Sequence, residues 1–314
     1  MSTKKVLSVA FALAIGLSAG DAAAHNLGGV DASELAPATR SSLASDVQRA
    51  RAETPELFRQ VADIAKRANE LDAASRVQGA PFTMHFKQLG PRALLPMLDM
   101  LAWGTAVPSD LTATAKSALR VGLVEAVGIV RDARAVPVLA RIAAKETPDA
   151  ELTRAAADAL GRIGTDEAFG ALGVALAAAE PSGGERYHAI LMGVGASRRT
   201  DAVSLLAKKA DAKPDEATAR AIAKALGVAG NAWAWKTFSD RSSEAAVRES
   251  AARTLVRLYT AYAGEARAAA AKALLVVDDA HTAAFVAEAR KAANADTQRA
   301  LDELSAKLAK NPTR

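Results

Sequence analysis

The 314 residues predict an all-α protein, an α-solenoid of stacked antiparallel helix hairpins. Three observations carry that prediction. A ten-residue pattern recurs as LRVGLVEAVG, LTRAAADALG, GERYHAILMG and TARAIAKALG, with its last Gly at 128, 161, 193 and 227. Half the residues are hydrophobic yet only 4% are aromatic, and Ala carries much of the hydrophobic share. No long run alternates Val, Ile, Thr and aromatics as a half-buried strand does.

The pattern has a physical cause. Its positions one, five, eight and nine are mostly apolar, which is one stripe at helical spacing. Ala at positions five, six and eight lets neighbouring helices approach, and the Gly at position ten reads as a helix end or kink. One hairpin cannot bury such a stripe alone, so hairpins must stack. The same pattern, without the Gly, fits Val247–Val256 and Ala266–Leu275, where the step shortens to 29 and then 19 residues. A step of 19 is too short for a hairpin, so the C-terminal end is expected to depart from the pattern.

Taken in order, residues 1–24 read as a targeting segment: Lys4 and Lys5, an apolar run from Val6 to Leu17, then Ala22-Ala23-Ala24 with cleavage before His25. The run is too short to span a bilayer. The expected location of the mature chain is therefore periplasmic or secreted. Removing Lys4, Lys5 and Asp21 lowers the formal charge from +5 to +4, which permits an anionic partner without requiring one. With no cysteine, disulfides and thiol chemistry are excluded.

Residues 25–80 read as an N-terminal linker and capping helices. The stretch 25–33 (HNLGGVDAS) is expected to be mobile, and Thr54-Pro55-Glu56 to open a helix with Thr54 as N-cap. Residues 81–310 are the repeats. Within them a helix is predicted from about Arg134 to Ala144, a second from about Ala150 to Ile163, and a third from Asp166. Thr282–Ala292 and Thr297–Leu308 should close the stack, the latter with Leu301, Leu304 and Leu308 on one face. Residues 311–314 read as a tail.

Val247-Arg248 with Ala251-Ala252, and Ala135-Val136-Pro137-Val138-Leu139, resemble the short HEAT-like repeat of the PBS-lyase type. The resemblance covers about residues 85–310. It implies a right-handed superhelix whose second helices line the concave side, and it is nearly silent on chemistry.

On that geometry one column stands out. Position three holds Arg154, Arg186 and Arg220, and equal positions on stacked helices should lie about 10 Å apart. Position seven adds Lys224, with Arg253 and Lys272 after it. Together they read as a basic ladder able to pair with carboxylates or phosphates of a partner. The bland alternative is a solvated face with Arg154 paired to Asp158. Trp233 and Trp235 are two apart, so one should be buried and the other exposed; Trp235 is taken as the partner-binding aromatic.

Catalytic and metal-binding patterns are absent. His25, His85, His188 and His281 are scattered, and Gly193-x-Gly195 lacks the rest of a dinucleotide loop. The expectation is a non-catalytic scaffold of the cell envelope, without cofactor or metal, that holds a protein or extended peptide. A nucleic-acid-binding protein resembling the DNA-alkylation-repair glycosylases is the alternative. The export signal and the small net charge count against it.

Overall fold

The computed structural model describes residues 27–78, 82–146 and 149–311, the side chains of 75–78 excepted. Residues 1–24, read above as a targeting segment, His25, the Ala80-Pro81 boundary and residues 312–314 lie outside them. The described residues form helices and no strand. In order these are α1 (Pro37–Glu53), α2 (Pro55–Lys66), α3 (Ala68–Gln78), α4 (Phe82–Gln88), α5 (Leu94–Trp103), α6 (Ala113–Val130), α7 (Val136–Ala144), α8 (Ala150–Ile163) and α9 (Asp166–Ala179). Then follow α10 (Gly184–Ala196), α11 (Thr200–Asp211), α12 (Glu216–Ala229), α13 (Ala232–Trp235), α14 (Glu244–Ala261), α15 (Gly264–Val277), α16 (Thr282–Lys291) and α17 (Ala295–Ala309).

Helix boundaries follow local chemistry. Thr112, Asp149, Thr165, Asp215 and Asn294 each accept a hydrogen bond from a backbone N–H of the turn they open. Gly104 and Gly164 end α5 and α8 at φ 64° and 68°, where a side chain would be strained. Thr54 does not cap α2. Its hydroxyl donates back to the Ala50 carbonyl, so it closes α1, and Pro55 alone starts α2.

The helices stack in two layers. In the front layer α4, α6, α8, α10, α12 and α15 pack in that order; α5, α7, α9, α11, α14 and α16 lie behind them. This is a solenoid-like stack, as expected. Its C-terminal end corrects the sequence alignment. Val247–Val256 lies in α14, which packs between α11 and α16 in the back layer, and α15 takes the front place beside α12. The short steps of 29 and 19 arose from counting a back helix as a front one.

The repeating Gly residues do not end their helices. Gly128, Gly161, Gly193 and Gly227 all lie inside α6, α8, α10 and α12. Each is where a neighbouring front helix comes close. A Cβ on Gly128 would stand 2.5 Å from the Ala159 Cβ, and one on Gly161 would meet the Gly193 carbonyl. In α10, Gly193 abuts Ala157 of α8, and Gly195 abuts Ala225 of α12. Two residues are 200° apart on a helix, so the Gly-Val-Gly sequence lets α10 press close on both sides.

Both ends of the stack are tied down. α1 and α2 pack on α5, where Arg51 pairs with the buried Asp99. The segment before α1 is not a mobile linker. Leu27 and Val30 are 0% and 1% exposed, the Leu27 carbonyl accepts from Arg120, and Glu34 reaches Arg141 and Lys145 at 3.1 Å each. It crosses α6 and α7 as a strap. At the far end Leu301, Leu304 and Leu308 are buried, as their spacing predicts. Asn311, expected in the tail, is 6% exposed and donates to the Leu275 carbonyl at 2.9 Å.

Gly195→Ala should cost about 1–3 kcal/mol, because its Cβ meets backbone. Gly173→Ala in α9 has no atom within 4 Å and should gain about 0.5–1 kcal/mol. Urea denaturation measures both, and equal signs would refute the close approach. Arg120→Ala removes the tie to Leu27 and to Asp149 together. Amide exchange across residues 27–35 should then rise while that of α10 and α12 stays unchanged.

Candidate functional site

The front layer carries one long furrow. Its first cleft, about 530 Å³, lies over α4, α6 and α8 and is floored by Ala118, Val121 and Gly122. The second, about 310 Å³, spans α8, α10 and α12 over Ala189, Ala217 and Ala221. The third, about 320 Å³, lies between α12 and α15 over Gly227, Ala269 and Ala273. Glu151 lines the first and second clefts, and Met192 and Lys224 line the second and third. The small floor residues belong to the same Ala- and Gly-rich pattern that lets the helices approach.

The arginine column is only partly assembled. Arg154 and Arg220 both reach the furrow, on α8 and α12. Arg186 does not. Its guanidinium turns back to donate to the Ala144 carbonyl at the C-terminus of α7, at 2.7 Å. His188 takes the place between Arg154 and Arg220. The reason is the phase of α10. Pairing α10 through Gly195, two residues beyond the Gly used to align the sequence, puts His188 in register with its neighbours and Arg186 out of it.

The arginines that do face the furrow are already engaged. Arg154 pairs with Glu125 of α6 at 3.0 Å, and Arg220 pairs with Glu265 of α15. Asp158 pairs with Arg162 at 2.6 Å rather than with Arg154. Each pair therefore bridges successive front helices or stays on one turn. The exposed Lys224 and Lys272 differ: among the described residues no ion pair or hydrogen bond holds either ammonium.

His188 donates to, or accepts from, the Thr218 hydroxyl at 3.1 Å. Burial pushes its pKa below the usual imidazole value, Arg220 adds to that, and Asp215 and Glu185 oppose it. The ring is neutral at pH 7.

Two of the sequence candidates lie elsewhere. Arg253 is on α14 in the back layer, paired with Glu249 at 3.1 Å and stacked 4.3 Å from the Phe285 ring centroid. It cannot join the furrow, because α14 is not a front helix. Trp235 is 3% exposed, and its indole N–H donates to the Ala229 carbonyl at 2.9 Å. The exposed member of the pair is Trp233, at 57%, with the Lys236 ammonium 4.0 Å from its ring centroid. Phe238 packs on Trp235 and receives the guanidiniums of Arg131 and Arg198, 5.0 and 5.3 Å from its centroid. That fastens the segment after α13 to the ends of α6 and α10.

Among the described residues no group of three or more His, Asp or Glu side chains is placed to hold a metal ion. No helix among them is long and apolar enough to cross a membrane. No protein-family model and no curated protein matches the chain.

The His188 environment gives a signed pH dependence. A folded-state pKa below the free value of 6.5 means that the unfolded chain binds the proton more readily. The His188 contribution is complete above 6.5 and falls as pH drops through that value towards the folded pKa. Replacing it by Gln should flatten part of the loss of stability as pH falls below 6.5. Denaturation midpoints against pH test this, and an unchanged slope would refute it.

Proposed function

We propose that this chain is a non-catalytic, exported scaffold of the HEAT-like kind, which holds a protein through an extended segment laid along the front-layer furrow. The supporting observation is continuity: the first cleft shares Glu151 with the second, and the second shares Met192 and Lys224 with the third, so one extended peptide has a path along the front helices from α4 to α15. The floor is apolar and shallow. The walls carry Glu151, Arg154, Glu185, His188 and Arg220, which offer hydrogen bonds and charge at each helix step.

Such a furrow recognises by repetition. Each exposed pair contributes only about 0–1 kcal/mol, so affinity has to come from several weak contacts made together on a rigid frame. The nucleic-acid alternative gains nothing from the geometry. Glu125, Glu151, Glu185 and Glu265 stand among the cations of the furrow, and carboxylates repel a phosphate backbone.

A photoreactive phenylalanine analogue in place of Glu185 tests the surface directly. Covalent adducts with a discrete envelope protein are expected from Glu185, and none from the same group at Val174, which is 69% exposed in the back layer. Equal adducts at the two positions, or none from Glu185, would discard the furrow.

A further inference from the structure

The furrow is not electrically uniform along its length. The first cleft is lined by Asp72, Glu125 and Glu151, with no Lys or Arg among its lining residues. The last is lined by Lys224 and Lys272, with no Asp or Glu among them. Between these ends the second cleft mixes both signs. The acidic end is largely satisfied within the protein: Thr114 donates to Asp72, and Thr83 and Arg154 to Glu125. The basic end is not, because Lys224 and Lys272 are exposed and held by no ion pair or hydrogen bond among the described residues.

Those two ammoniums rim an apolar floor. Met192, Val228, Ala269 and Val276 lie beneath them. A ligand fitting both features carries a carboxylate beside an aliphatic group. Either alone would be poorly served: a lone anion leaves the floor wet, and a purely aliphatic group leaves two cations without counter-charge. We propose that the α12–α15 end of the furrow is a carboxylate seat, which takes an acidic residue flanked by aliphatic residues in an extended peptide. This rests on the furrow reading above and adds the chemistry of its occupant. It also sets the register of the bound segment, since a carboxylate is repelled from the opposite, acidic end.

A peptide is favoured over a free aliphatic acid because the cleft does not close. It opens into the second cleft through Met192 and Lys224, so a chain entering it has a path onward along α10 and α8. The magnitude is modest. An exposed ion pair is worth at most about fivefold in affinity, so two multiply to at most about 25-fold, and about tenfold is expected at low salt, less as salt is added.

The experiment uses the full chain and fluorescence anisotropy with labelled Ser- and Leu-containing peptides of about ten residues, a span of ~30 Å when extended. They differ only at a central Glu, Gln or Lys. The Glu peptide is expected to bind about tenfold tighter than the Gln peptide, with the gap shrinking in salt. In the Lys224→Ala, Lys272→Ala double variant that gap should vanish while the Gln peptide binds as before. In the Lys224→Glu, Lys272→Glu variant the Lys peptide should bind best. Equal binding of the Glu and Gln peptides by the natural chain overturns the seat and leaves the furrow standing. So does a gap that survives in the alanine variant, or decanoate binding that displaces no peptide. Binding of none of the peptides overturns the furrow reading and the seat with it.

Discussion

Everything in the front layer depends on how closely its helices approach. At Gly193 and Gly195 the neighbouring backbones stand where a Cβ would have to be, and Gly128, Gly161 and Gly227 keep the same terms with Ala159, Gly193 and Ala273. Contacts this close place Cα–H groups against carbonyl oxygens and add dispersion along the full helix length. Small residues cost the chain side-chain burial, and glycine costs helix propensity. Stacking repays this by burying each helix on two sides at once. Here the front helices meet through Gly and Ala.

The same constraint shapes the polar surface. Where backbones nearly touch, long side chains can only emerge at the open face, so Glu125, Arg154, Arg220 and Glu265 end up side by side on successive helices. Their pairs join α6 to α8 and α12 to α15. At these exposures such pairs add little stability. Their effect is on register, because a shift of one residue on either helix would separate them. Arg186 shows the other outcome. With α10 turned so that both of its glycines meet neighbours, residue 186 cannot face forward, and its guanidinium finds the unsatisfied carbonyl at the end of α7 instead.

Helices were legible because periodicity and caps are local. Ala150–Ile163 and the start at Asp166 agree with the structure to the residue, since Asp149 and Thr165 advertise the turns they cap. The phase of α10 was not, because two glycines two residues apart both suit the pattern, and only the neighbours say which one sets the register. Layer assignment failed at α14 for a related reason: an amphipathic helix shows which side is apolar, not which layer that side faces. Leu27 and Val30 lay in a stretch that read as mobile, and the groups that hold it, Arg120, Arg141 and Lys145, come from α6 and the α7 end, 93, 107 and 111 residues away from their partners in sequence. Trp233 and Trp235 were correctly split into one buried and one exposed, but the choice between them needs the core around Ala229.

A strict repeat gives every step the same surface, so a distinctive site requires the repeat to be broken. Here it breaks once at the end of the furrow, between α12 and α15. The short α13, with Trp235 sunk beneath it and Phe238 held by Arg131 and Arg198, fills what would have been a back helix, and α14 then supplies that helix late. α12 and α15 are therefore front-layer neighbours that are not consecutive hairpins. They still close through Gly227 and Ala273, and Arg220 pairs with Glu265 across them, but the cleft beside that pair is lined by Lys224 and Lys272 with no Asp or Glu. Among the described residues that line the furrow, Lys224 and Lys272 are held by no ion pair, and Met192, Val228, Ala269 and Val276 line the cleft with them. With Arg154 and Arg220 engaged by carboxylates of neighbouring helices, the position where the pattern lapses is the one with cationic charge free to meet something else.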